Sequence, residues 1–139
     1  LEFDLDLAKK QSADNPVFYV QYAHARVCSV EKQATSQGLS FALGGDELQR
    51  LEAPEEVAVV RLLAQFGDVV EEAAAALEPH RVVFYLIDLA AEFHRFYNRN
   101  RILVDDHELA TARYFLAQAT KLVIADGLEL LGVGAPESM

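Results

Sequence analysis

Tyr19, Tyr22, Arg26 and Ser29 are spaced three and four residues apart. On a helix turning about 100° per residue they fall within one narrow arc. Val20, Ala23, Val27, Val30 and Ala34 occupy a separate, apolar arc. Two phenol rings beside a guanidinium are the parts of a stacking platform for unpaired bases: the rings supply π-faces, the guanidinium a charge and planar donors. The same spacing suits two tyrosines packed at a helix interface with wet hydroxyls, and Arg26 paired with an acid. A second cluster is His94-Arg95-Phe96-Tyr97-Asn98-Arg99-Asn100-Arg101. It places arginines and a tyrosine at the end of a helix. They could contact phosphates and bases, or the arginines could complement the negative end of the helix macrodipole.

Other combinations carry less chemistry. His24 and Cys28 share a face but have no CxxC or HxxxH partner, so they form half a metal site at most. Asp88 and Glu92 stand four apart beside Arg81, Arg95 and Arg99, which is the pattern of a solvated ion-pair face rather than an acid/base dyad. His80 and His107 read as surface residues at helix starts. No P-loop, GxGxxG or GxSxG is present. No catalytic residues and no metal site are assigned.

The elements that must position these residues are helical. Asn15 can cap and Pro16 suits the first turn, so a helix is expected from Pro16 to about Gln37, ended by Gly38. Pro54-Glu55-Glu56 opens a second, which Gly67 weakens or kinks. Leu77-Glu78-Pro79-His80 opens a third. Its polar face holds Arg81, Tyr85, Asp88, Glu92, Arg95 and Arg99; Val82, Val83, Leu86, Leu89, Ala90, Phe93 and Phe96 lie opposite. Asp105 or Asp106 caps a fourth, with Leu109, Ala112, Leu116, Ala119 and Val123 inward, ending at Asp126-Gly127. Strand signals are almost absent. The expected fold is all-α, a bundle of four to five main helices. Residues 1–13 read as a connector, and 14–139 as the helical domain.

Composition sets limits. A 139-residue chain that is 52% hydrophobic can bury one core. No apolar stretch approaches the roughly 20 residues of a membrane helix, and Leu1-Glu2-Phe3-Asp4 is not a signal peptide. The single Cys28 fits a reducing compartment. A cytoplasmic location is expected. Net charge of −10 argues against a nucleic-acid partner when taken alone. The charge is segregated, however: nine acids and two arginines lie between Asp46 and Glu78, but four arginines and two acids between Pro79 and Arg101. A local basic surface on an acidic protein is therefore available.

The ordered motifs resemble a known family. Asn15-Pro16-Val17-Phe18-Tyr19-Val20-Gln21-Tyr22-Ala23-His24-Ala25-Arg26 resembles the NPVxYVQYAHAR signature of arginyl-tRNA synthetases. Glu78-Pro79-His80-Arg81, Phe93-His94-Arg95-Phe96-Tyr97-Asn98, Ala112-Arg113 and the ending from Gly127 to Met139 resemble further segments, in the family's order. Ser138 stands where the family usually has arginine. The resemblance covers the whole chain and points to the C-terminal DALR anticodon-binding domain, an all-helical bundle. It implies that Tyr19, Tyr22, Arg26, Tyr97, Arg101 and Met139 approach the anticodon loop of tRNA-Arg. It also implies a parent enzyme that joins arginine to tRNA with ATP and Mg²⁺. The Rossmann catalytic domain, with its HIGH-like and KMSKS-like segments, would precede Leu1, and this piece alone would need no cofactor. The chain opens without methionine and is expected to be part of a longer protein, with Met139 its natural end. Neither DNA nor membrane is an expected partner. The competing expectation is a helical protein–protein interaction domain that binds no RNA. The two differ in whether Tyr22 and Arg26 are exposed together near Tyr97 and Met139.

Overall fold

The computed structural model describes residues 15–139; the connector expected over 1–13 lies outside the described residues. Among the described residues the order is five α-helices and one 3₁₀ turn: α1 Pro16–Ser36, the turn Glu47–Arg50, α2 Pro54–Ala64, α3 Phe66–Ala76, α4 His80–Arg99 and α5 His107–Leu130. No strand occurs among the described residues. The expected all-α bundle is the observed one.

Helix α1 begins as its sequence dictates. The Asn15 side chain accepts from the N–H groups of Val17 and Phe18, and Pro16 fills the first position. Gly38 ends the helix at a φ of 71°, with the Leu39 N–H bonded back to the Ala34 carbonyl. Helices α1, α4 and α5 meet at the centre, and α2 and α3 pack on α4. Val27, Leu86, Leu89, Phe93, Phe96 and Ile124 are almost wholly inaccessible. Each such aliphatic side chain contributes about 1.5–3 kcal/mol by leaving water.

Three boundaries differ from the sequence reading. The second helical stretch breaks at Gln65, two residues before Gly67. At the break stands Tyr85, which is buried, not on the polar face of α4: its hydroxyl donates to the Leu62 carbonyl at 2.6 Å, where the ladder of α2 ends. Burial also pushes the Tyr85 phenol up to about 12, so it remains a donor. Leu77 does not open α4. It closes α3 in the left-handed region, φ 55°, with the Glu78 N–H on the Ala73 carbonyl. Finally, α5 continues through Gly127 to Leu130, because that glycine serves helix packing. A Cβ there would stand 2.7 Å from Leu86 Cδ2, so its absence lets α4 and α5 approach.

Candidate nucleic-acid interface

The α1–α4 contact brings Tyr19, Tyr22, Arg26 and Tyr97 together. The Arg26 guanidinium carbon lies 4.7 Å from the Tyr22 ring centroid and 4.4 Å from that of Tyr97. A cation over two ring faces gains about 0.5–1 kcal/mol per ring at an exposed site. Its Nη1 bonds to His94 Nδ1 at 3.0 Å and, less closely, donates to Asn98 Oδ1 at 3.4 Å. His94 in turn reaches the Tyr19 carbonyl through Nε2 at 3.2 Å and stacks near Tyr22, ring centroids 5.6 Å apart. Burial holds the His94 imidazole below its ordinary value, and the Arg26 charge acts in the same direction. Tyr22 is 38% exposed, Arg26 half-buried, and a cleft of about 370 Å³ opens between Phe18, Tyr22, Arg26 and Asn98.

Arg26 has no acidic partner among the described residues. Of the eight arginines in the chain, Arg50, Arg81, Arg95, Arg99 and Arg113 are ion-paired. Among the described residues, the three without a carboxylate partner are Arg26, Arg61 and Arg101, and two of these flank Tyr97. Arg101 lies in a second cleft, about 430 Å³, shared with Tyr97, Asn98 and Gln33. The loop that carries it is fixed from below. Arg113 Nη1 donates to the Arg101 carbonyl at 2.7 Å, while Arg113 Nε meets the buried Glu56 carboxylate at 2.7 Å. Buried Ile102 and Leu103 anchor the same segment. The Arg101 backbone is thus pinned and its side chain is exposed.

Residues 20–139 match the family described as DALR anticodon binding domain. The chain belongs to this family. It is 52% identical over 140 residues to the arginine–tRNA ligase of Syntrophotalea carbinolica and 53% identical over 142 residues to that of Desulfosudis oleivorans. In both cases all of this chain is covered, but only 25% and 26% of the relative. The chain thus spans about a quarter of the length of these curated relatives. The arginyl-tRNA synthetase structure of Thermus thermophilus superposes with a TM-score of 0.81 at 33% identity, covering 100% of this chain and 24% of that one. The all-helical bundle is therefore that of the anticodon-binding domain of arginyl-tRNA synthetases.

In this DALR domain the structure unites four of the six expected site residues and sets Arg101 on the adjoining cleft. Met139 ends a tail tied to α1 by two bonds, Gln21 Nε2 to the Gly134 carbonyl at 2.8 Å and His24 Nδ1 with the Pro136 carbonyl at 3.0 Å. Gln21 and His24 lie on the side of α1 away from the tyrosine arc, and Met139 is about half exposed at the tip. His24 and Cys28 are a buried pair, 3.8 Å apart, used by the tail and the core. Among the described residues, no group of three His, Cys, Asp or Glu side chains could hold a metal ion, and no helix is long and apolar enough to cross a membrane. The sequence reading includes His94 and Asn98 in its second cluster but gives them no role, although their spacing of four residues puts both on one face of α4.

Proposed function

We propose that this domain holds the anticodon loop of an arginine tRNA, through Tyr19, Tyr22, Arg26, Tyr97 and Arg101, with Met139 at the margin. The observation that carries this reading is Arg26. Ring faces and neutral acceptors hold it, so its charge is not spent on a protein carboxylate. Unpaired bases stacking against Tyr22 or Tyr97 would gain about 1–3 kcal/mol each. Stacking tolerates any base, so hydrogen bonds must discriminate. Every arginine codon has G at its second position, so every arginine anticodon has C in the middle. The third anticodon base is G or U, and both present a keto acceptor beside an imino donor. Among the described residues, Arg26 Nε and Nη2 have no protein acceptor, which leaves donors for such a keto oxygen. ATP, Mg²⁺ and arginine belong, in this reading, to the catalytic region of the whole ligase, and linkage to that region raises the effective concentration of the tRNA.

The test is binding of this chain to an arginine anticodon stem-loop at two salt concentrations, beside a stem-loop with the middle C changed to U and beside Tyr22→Ala. The reading expects saturable binding, a shallow salt slope and losses from both changes. Binding that ignores the C-to-U change and the tyrosine would reject it in favour of non-specific attraction.

A further inference from the structure

The two bonds of His94 constrain its protonation. An arginine Nη1 can only donate, so His94 Nδ1, 3.0 Å away, must present a lone pair. A carbonyl can only accept, so Nε2, 3.2 Å from the Tyr19 oxygen, must carry the hydrogen. Both bonds are made by one species, the neutral Nε2–H tautomer. The groups that could alter this are few. From α1 the imidazole faces Tyr19, Tyr22 and Arg26, and from α4 itself Phe93, with Asn98 lining the same cleft; no carboxylate among the described residues reaches it. A proton added at Nδ1 would remove the acceptor and set a second cation 3.0 Å from the guanidinium.

We propose that His94 is a positioning residue for nucleic-acid binding: as the neutral Nε2–H tautomer it fixes Arg26 between Tyr22 and Tyr97, and its protonation releases that guanidinium and weakens the anticodon-loop contact. The proposal rests on the reading that Arg26 faces the loop. It assigns His94 no base contact. The lowered affinity of the buried ring for protons places the transition below the ordinary imidazole value of 6.5, so the lock is closed at neutral pH. Glutamine can reproduce the pattern, one atom accepting and one donating; phenylalanine keeps the ring and loses both bonds.

Two measurements on the 139-residue chain test it. Imidazole ¹⁵N shifts and the Arg26 side-chain Nε signal are followed by NMR from pH 8 to 5.5 without RNA. The Nε2–H tautomer is expected at pH 7.5, with the Arg26 signal moving in step with His94 protonation. An Nδ1–H tautomer, or an Arg26 signal indifferent to that protonation, overturns the proposal whether or not RNA binds. Stem-loop affinity over the same pH range is then compared for wild type, His94→Gln and His94→Phe. Wild type should weaken with acid. His94→Gln should bind within about threefold of wild type at pH 7.5 with a flatter profile, and His94→Phe should lose roughly tenfold or more, the size of one hydrogen bond to a charged group. Equal affinity and equal pH profiles for all three overturn it. If no stem-loop binding occurs at any pH while the NMR linkage holds, the anticodon-loop reading fails for this chain and the His94–Arg26 lock stands as a structural device only.

Discussion

Arg26 and Arg113 both sit at helix junctions within this domain, and they are held in opposite ways. Arg113 is 13% exposed, meets a carboxylate that is 1% exposed at 2.7 Å, and spends a further donor on the Arg101 carbonyl. Glu56 is itself saturated, since its other oxygen takes the Ala53 N–H at 2.9 Å and closes the first turn of α2. The Arg113 and Glu56 charges cancel each other, and their junction joins α2, α5 and the loop after α4. Arg26 is held instead by two π-faces, an imidazole and an amide, none of which neutralises it. The difference teaches that an arginine's partners, more than its exposure, separate a structural cation from one available to a polyanion. It also shows where a chain of net charge −10 can present a site for nucleic acid: five other arginines are ion-paired, whereas Arg26 has no carboxylate partner among the described residues.

The comparison can be broken most forcefully at Glu56. Glu56→Ala leaves Arg113 as a buried charge without its partner and should cost about 3–5 kcal/mol. Urea denaturation reads this directly, and a loss below about 1 kcal/mol would mean that water replaces the carboxylate. Gly127→Ala should come next. The added methyl meets Leu86, which is only 1% exposed and has little room to turn, so about 1–3 kcal/mol is expected in the same assay. Arg26→Ala sharpens the contrast. Thermal melting should register a loss of about 1–2 kcal/mol, the size of its two ring contacts, while stem-loop affinity falls roughly tenfold or more. The smallest effect is at Leu77, 88% exposed and held at φ 55°. Leu77→Gly should raise stability by up to about 1 kcal/mol, seen as a higher Tm, because glycine enters the left-handed region without steric cost.

Much of the arrangement is legible in the sequence, and the failures have physical causes. Asn15-Pro16 and Gly38 bound α1 because capping is local chemistry, decided by a few adjacent residues. The arc of Tyr19, Tyr22 and Arg26 follows from helical periodicity alone. Which reading of that arc holds is not local. The partners of Arg26 come from α4, about 70 residues away, and one of the two open alternatives, pairing with an acid, is not what those partners provide. Tyr85 misleads because its spacing matches a polar face while its hydroxyl finds a backbone carbonyl in another helix. Gly127 misleads because glycine serves both helix termination and close packing, and only the approach of Leu86 distinguishes them. The three arginines near the end of α4 look alike in sequence. Glu55 and Glu92 claim Arg99 and Arg95, leaving Arg101.

The most direct test of the central claim uses the two arginines as internal reporters. In an NMR titration of the chain with an arginine anticodon stem-loop, the Arg26 Nε signal and the resonances of Tyr22, Tyr97, Asn98 and Arg101 should shift and saturate together, while the Arg113 Nε signal stays in place. Saturable binding that moves Arg113 or distant surfaces and leaves Arg26 untouched would contradict the account.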